Sequence, residues 1–379
     1  MKPKGFENAM SELSNLRKVI NKRYGEGTLV VGDEPIAIEE VTRVSTGSFG
    51  LDMEMGGGWP ENHISVLVGP YAAAKTTMAL KSVAQAQLKY PEKDAIWMEV
   101  EPGSLDRDWA GKQGVDVSKL TVARPFYMEQ AFDIADVALR TKGVSVIVID
   151  SLAALCPARA LEDSMEDSQV GLDAFLISKF LKKATASLRY KKTFGDRDDK
   201  VTLILLQQIR QKIGGGGGRF MGPIEIMPGG KALEHYPSVI VKFRRGAWKT
   251  EKVGGREETV GQECKFFIEK NKTFPARRNG TFDFYFQDTS THRAGEIDRL
   301  KEVLPYAILW DVITKKGAWY YVDDDTYFQG GKALLEYLRE TPGALEKIEK
   351  KVAEVSTRNR GPEIPLIDSI DSDTGETIY

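Results

Sequence analysis

The stretch ISVLVGPYAAAKTT, residues 64–77, decides how the rest of the chain is read. An apolar run of strand type meets a glycine and a short turn, then Lys-Thr opens the helical pattern KTTMALKSVAQAQL. Strand, loop and helix in that order bring backbone N–H groups and a helix N-terminus round a phosphate. Gly69 and the Lys75–Thr76–Thr77 end stand at phosphate-loop spacing, with Pro70, Tyr71, Ala72 and Ala73 between them. Ala74 occupies the place of the second glycine. If the loop needs a left-handed backbone there, alanine costs about 1–2 kcal/mol, a site weakened or slowed and still retained. Lys75 would then reach the outer phosphates of a nucleotide, and Thr76 would join a Mg2+ shell. On the motif alone, a strand–turn–helix that happens to end in Lys-Thr fits equally well.

Three further strands tilt the balance. VSVIVID (144–150) ends in Asp150, a place from which a carboxylate holds a metal. AIWMEVE (95–101) brings Glu101 to a strand end suited to orienting an attacking water, and VTLILLQQ (201–208) delivers Gln208 to a third. Taken singly these are a turn signal, a solvated strand end and a loop cap. Together they converge on the crevice at the carboxyl ends of strands, where α/β sheets bind ligands. The apolar strand runs, which continue with SVIVKF (238–243) and CKFFIE (264–269), alternate with helical patterns at 75–90, 129–142 and 172–190. Such runs belong to a largely parallel sheet covered by helices on both faces, an α/β fold.

Before this region, Phe6, Met10, Leu13, Leu16, Ile20 and Tyr24 form one helical stripe, followed by a short strand candidate, TLVV (28–31). The stripe packs on its own domain or is offered to another subunit. After residue 290 the pattern turns mixed and helical to about 356, and residues 361–379 carry five acidic and no basic side chains. Between them, QKIGGGGGRFMGPIEIMPGG (211–230) places five consecutive glycines inside an α/β domain, a loop that a ligand would order. Arg210, Lys212 and Arg219 supply charge there, and Phe220 an apolar wedge. Gly214, Gly215, Gly216, Gly217 and Gly218 offer close backbone approach, a combination suited to single-stranded DNA.

Net charge is −2, so any nucleic-acid binding rests on such local patches. Cys156 and Cys264 sit in apolar surroundings, which fits a reducing compartment, and the three histidines lack metal-ligand spacing. No apolar run approaches a membrane span, and PKGFENAM is no signal peptide, so a cytoplasmic, soluble chain is expected.

From about Gly5 to Val355 the chain resembles the bacterial RecA recombinases. The likeness rests on RVSTGSFGLDMEMGGGWP, the phosphate loop, VIVIDSLAALCP, EDSMEDSQVGLDAFLISKFLKKATASL, QQIRQKIG with its glycine loop, GGKALEHYPSVIVKFRR, KNK (270–272) and KKGAWYYVDDDTYFQGGKALLEYLRE. The resemblance implies a RecA-type ATPase core at 41–290, an N-terminal oligomerisation segment at 1–40, a small C-terminal α/β domain at 291–356 and an acidic tail at 357–379. It implies ATP and Mg2+ at residues 69–77, with Thr76 and Asp150 on the metal, Glu101 activating water and Gln208 coupling the γ-phosphate to DNA. Asp106 and Trp109 fall where the family contacts adenine, next to a one-residue insertion. Lys270 and Lys272 fall where it reaches a neighbour's ATP. Residues 162–171, with Met165, and 209–228 match the two DNA loops. The activity implied is filament formation on single-stranded DNA, pairing with homologous duplex and strand exchange in DNA repair. Departures are Ala74, the longer glycine loop and His235 at a usually aromatic subunit contact, which point to a divergent, phage-type member. The rivals are a ring helicase motor, which needs an arginine where KNK stands, and a DNA-coating filament without turnover, which has no use for Glu101.

Overall fold

The computed structural model describes residues 4–32, 41–162, 171–194, 196, 198–211, 225–253 and 255–358. Its centre is an eight-stranded sheet. In chain order the strands are β1 (Ile64–Gly69), β2 (Asp94–Glu99), β3 (Leu120–Ala123), β4 (Val144–Asp150), β5 (Thr202–Gln208), β6 (Val239–Val253), β7 (Arg256–Asn271) and β8 (Asn279–Tyr285). Their order across the sheet is β8-β7-β6-β1-β5-β4-β2-β3. The six strands from β6 to β3 run parallel, and β7 and β8 continue the sheet antiparallel. β6 and β7 pair out to Val253 and Arg256, which are three positions apart in the chain, so the two strands run in opposite directions.

The apolar runs are continuous because both faces of the sheet are buried. Leu67, Val146, Val148, Ile204 and Leu206 join one core cluster, beneath the helix Lys75–Lys89. Their neighbours Val66, Val68, Ile147, Ile149, Leu203 and Leu205 point into the other, beneath Met128–Arg140 and Leu172–Phe194. Side chains alternating at period two therefore fill two cores with one strand.

A third cluster spans Leu300 to Val352 and packs the helices Arg299–Leu309, Gly331–Glu340 and Ala344–Arg358 against a three-stranded sheet. It is tied to the core through the short helix Phe49–Met55. Glu302 accepts from the backbone N–H groups of Phe49 (3.1 Å) and Gly50 (3.3 Å) and from the Ser48 hydroxyl. Tyr306 donates to Glu54 at 2.8 Å, and Arg278 pairs with the same carboxylate.

The N-terminal helix forms over Lys4–Tyr24, with Leu13, Leu16 and Val19 exposed. The strand expected at 28–31 is not formed. Among the described residues this segment has no ladder to join, and the Asn21 side chain instead brackets Leu29, accepting from its N–H (2.8 Å) and donating to its carbonyl (3.1 Å).

Candidate active site

The parallel register brings the polar strand ends together. Gly69 of β1 lies opposite Gln208 of β5, and Asp150 of β4 lies opposite Glu99 of β2. The turn after β1 therefore faces the ends of its neighbours, as the strand order requires. Close packing explains Gly69: a Cβ there would stand 2.5 Å from the Phe243 carbonyl oxygen.

The loop itself is left-handed twice. Ala74 has φ 61° and ψ 20° at the N-cap of the helix Lys75–Lys89, and Ala72 has φ 57°. Ala74 thus takes the left-handed backbone on which its cost depends, and Ala72, which no motif glycine marks, takes it too. Each stores about 1–2 kcal/mol relative to glycine. In return the alternation makes a concavity of backbone N–H groups above a helix N-terminus, the form that binds anions.

Lys75 is buried and folds back onto the loop, donating to the carbonyls of Gly69 (3.0 Å) and Pro70 (2.7 Å). Burial pushes its ammonium below the ordinary lysine range, opposed by the charges of Asp150 and Glu101. Thr76 donates to Asp150 Oδ2 at 2.9 Å. Burial pushes the Asp150 carboxyl up to about 6, against the Thr76 bond and Lys75, while Glu101 raises it further. A bound cation would bring this carboxyl back toward its ordinary range. Among the described residues no group of three or more His, Cys, Asp or Glu side chains could hold a metal alone. A divalent ion on Thr76 and Asp150 would thus need phosphate oxygens to complete its shell, the usual arrangement for Mg2+.

Glu101 is exposed beside this pair, and Ser151 donates to its Oε1 at 3.3 Å. The loop that carries it is built by a residue that sequence reasoning missed. Glu99 is buried and accepts from Gly103 N (3.1 Å), Leu105 N (3.4 Å) and Arg124 Nε (2.6 Å). Its only sequence signal was a second carboxylate two residues before Glu101. Farther along, Asp106 caps the helix Arg107–Lys112, accepting from Trp109 N at 2.9 Å, and Trp109 meets Phe284 edge-on at 6.4 Å.

Gln208 leads directly to the glycine loop, whose two ends are pinned near the phosphate loop. The N–H of Ile209 donates to Gly69 O at 3.4 Å, and the buried Gln207 donates to Pro228 O at 2.5 Å. Arg210 is exposed and pairs across a two-stranded ribbon with Ile226. Met165, Lys212, Gly214 to Gly218, Arg219 and Phe220 lie outside the described residues.

Lys270 and Lys272 are not brought to this site within one chain. Lys270 is level with Ile240 and hence with Val66. That is about 10 Å back along the strands from Gly69 and two strands across. Lys270 donates to the carbonyls of Glu234 (2.6 Å) and His235 (2.9 Å), and Lys272 to His235 (3.3 Å). Partial burial, then Lys272, lowers the Lys270 ammonium.

Comparison with known proteins agrees with this geometry. Residues 11–290 match the RecA N-terminal domain and residues 301–356 the RecA C-terminal domain. The chain is 37% identical over 375 residues to Protein RecA of Nautilia profundicola, covering 97% of each. It is 36% identical over 350 residues to Protein RecA of Thermus aquaticus, covering 92% of this chain and 95% of that one. The chain belongs to the RecA family.

Proposed function

We propose that residues 69–77, Asp150, Glu101 and Gln208 form the ATPase site of a DNA-dependent recombinase. The family's activity is ATP-dependent homologous recombination and DNA repair, with single-stranded and duplex DNA as partners and a filament as the assembly. The observation that carries the residue assignment is the 2.9 Å bond from Thr76 to Asp150, made under a phosphate loop whose first glycine is paired with Gln208.

Lys75 would turn from the carbonyls it holds to the β and γ phosphates, and the loop N–H groups would take the remaining oxygens. Thr76 and Asp150 would hold Mg2+, which when bound offsets charge on the phosphate oxygens. Glu101, oriented by Ser151, would take a proton from the water that attacks the γ-phosphorus as the bond to ADP breaks. Trp109 would stack on adenine and Asp106 would fix the turn that carries it. Gln208 would sense the γ-phosphate and pass its presence to the loop at 209–228 through the Ile209–Gly69 bond.

Lys270 and Lys272 would act on the ATP of an adjoining subunit, for which their distance from their own site is the supporting observation. Arg210, Lys212, Arg219, Phe220 and the glycines 214–218, with Met165 in the loop at 162–171, would contact DNA. Residues 1–40 would serve assembly, 41–290 catalysis and 291–356 guidance of duplex, with 357–379 an acidic tail competing with DNA. Among the described residues no helix is long and apolar enough to cross a membrane, and we place the protein in the cytoplasm.

The test is ATP turnover with and without single-stranded DNA, run beside a strand-pairing assay. DNA-stimulated turnover and pairing only between homologous strands are expected. Pairing regardless of homology, or unwinding of a forked duplex, would overturn the assignment.

A further inference from the structure

Along β7 the even positions face inward, and four of the five from 260 to 268 are apolar or a buried thiol: Val260, Cys264, Phe266 and Ile268. The fifth is Gln262, only 3% exposed. A buried amide in an apolar row needs a partner. Its Nε2 finds one 190 residues away, donating to the carbonyl of Ala72 in the phosphate loop at 3.1 Å, with Cys264 Sγ at 3.3 Å as a second contact. The strand is re-aimed at this point: β6 pairs Arg245 with Cys264 but Trp248 with Gln262, so one extra residue of β6 forms a bulge beside the glutamine.

Ala72 is one of the loop's two left-handed alanines. The peptide from Ala72 to Ala73 is trans and planar, so its carbonyl and its N–H point in opposite directions. Anchoring the Ala72 carbonyl on β7 therefore fixes the Ala73 N–H to point away from β7. Glycines would ordinarily let such a loop settle without strain; here a side chain outside the loop holds it.

We propose that Gln262 is a positioning residue for the phosphate loop, aiming the Ala73 N–H at a bound triphosphate by holding the Ala72 carbonyl. This rests on residues 69–77 binding ATP, and three kinds of variant separate the two claims. Gln262→Leu and Gln262→Met keep an inward side chain of similar volume and remove the donor. Val260→Ala weakens the same row without touching the loop. Lys75→Ala tests the loop itself. ATP affinity is read with a fluorescent ATP analogue, stability by denaturant midpoint, and turnover on single-stranded DNA.

Both Gln262 variants should weaken ATP binding about tenfold, the scale of one lost ordering hydrogen bond. KM should rise in parallel with kcat nearly unchanged, because the N–H serves bound ATP and its transition state alike. Val260→Ala should lose stability and keep its affinity. Unchanged affinity in folded Gln262 variants, or an equal loss in Val260→Ala, would overturn the proposal while Lys75→Ala still abolished binding. Intact binding in Lys75→Ala would overturn both claims.

Discussion

The two left-handed alanines make an internal comparison. Ala72 (φ 57°) is exposed, whereas Ala74 (φ 61°) is 9% exposed and part of the core beneath the helix it precedes. Replacing either by glycine releases about 1–2 kcal/mol of backbone strain and adds about 0.5–1 kcal/mol of chain entropy to be lost on folding. Ala72→Gly should therefore stabilise the chain by about 0.5–1 kcal/mol. Ala74→Gly also removes a buried methyl group worth about 0.8 kcal/mol, which brings the balance close to zero. Ala74→Val, which adds two methyl groups to a filled left-handed position, should destabilise by about 3 kcal/mol or more. Denaturant midpoints of the three variants at unchanged m test the ranking. ATP affinity gives a second readout. Alanine already holds the conformation glycine would take, so Ala74→Gly should change Kd by less than about threefold. A larger stabilisation by Ala74→Gly than by Ala72→Gly would refute this ranking. A rise in affinity of more than about tenfold would mean instead that the methyl obstructs phosphate directly.

Glu101→Gln should slow hydrolysis by about 10²–10⁴-fold while ATP still binds and filaments still form in electron micrographs; wild-type turnover would remove Glu101 from the chemistry. Lys75→Ala and Lys270→Ala should each be inactive alone. Mixed one to one they should regain about a quarter of full turnover, because a neighbour can complete the site across a head-to-tail interface; no recovery would place Lys270 outside that role. Burial pushes the Glu302 carboxyl, at the junction with the third cluster, up to about 8. Between 4.5 and 8 the folded chain keeps a proton that the unfolded chain releases, so stability should fall as pH rises through that window. The slope from this one group is at most about 1.4 kcal/mol per pH unit, and Glu302→Gln should flatten it. The same pH profile in the variant would show that the carboxyl is ionised when folded.

What was legible in the sequence follows from where each signal is local. β1, β4 and β5 stand out as apolar runs because helices cover both of their faces, and Asp150 and Gln208, which end β4 and β5, mark the exit from that core. TLVV has the same composition but, among the described residues, no strand beside it, and composition cannot supply a partner. Ala74 is marked in the sequence only because a known motif puts glycine there; Ala72, equally left-handed, sits where the motif tolerates any residue. Glu302 lies in EIDRLKEVLP, which has the look of a solvated helix, and it is buried because a capped helix 252 to 253 residues earlier folds against it. Gln262 is the same kind of case, a polar residue whose purpose is set by a carbonyl 190 positions away. The site is legible where one segment carries both the residue and its reason, and the long-range anchors that hold it are not. Because those anchors bear on Ala72 and on Ser48, not on Lys75 or Asp150, substitutions at them should shift affinity and stability while leaving the chemistry of a bound ATP intact.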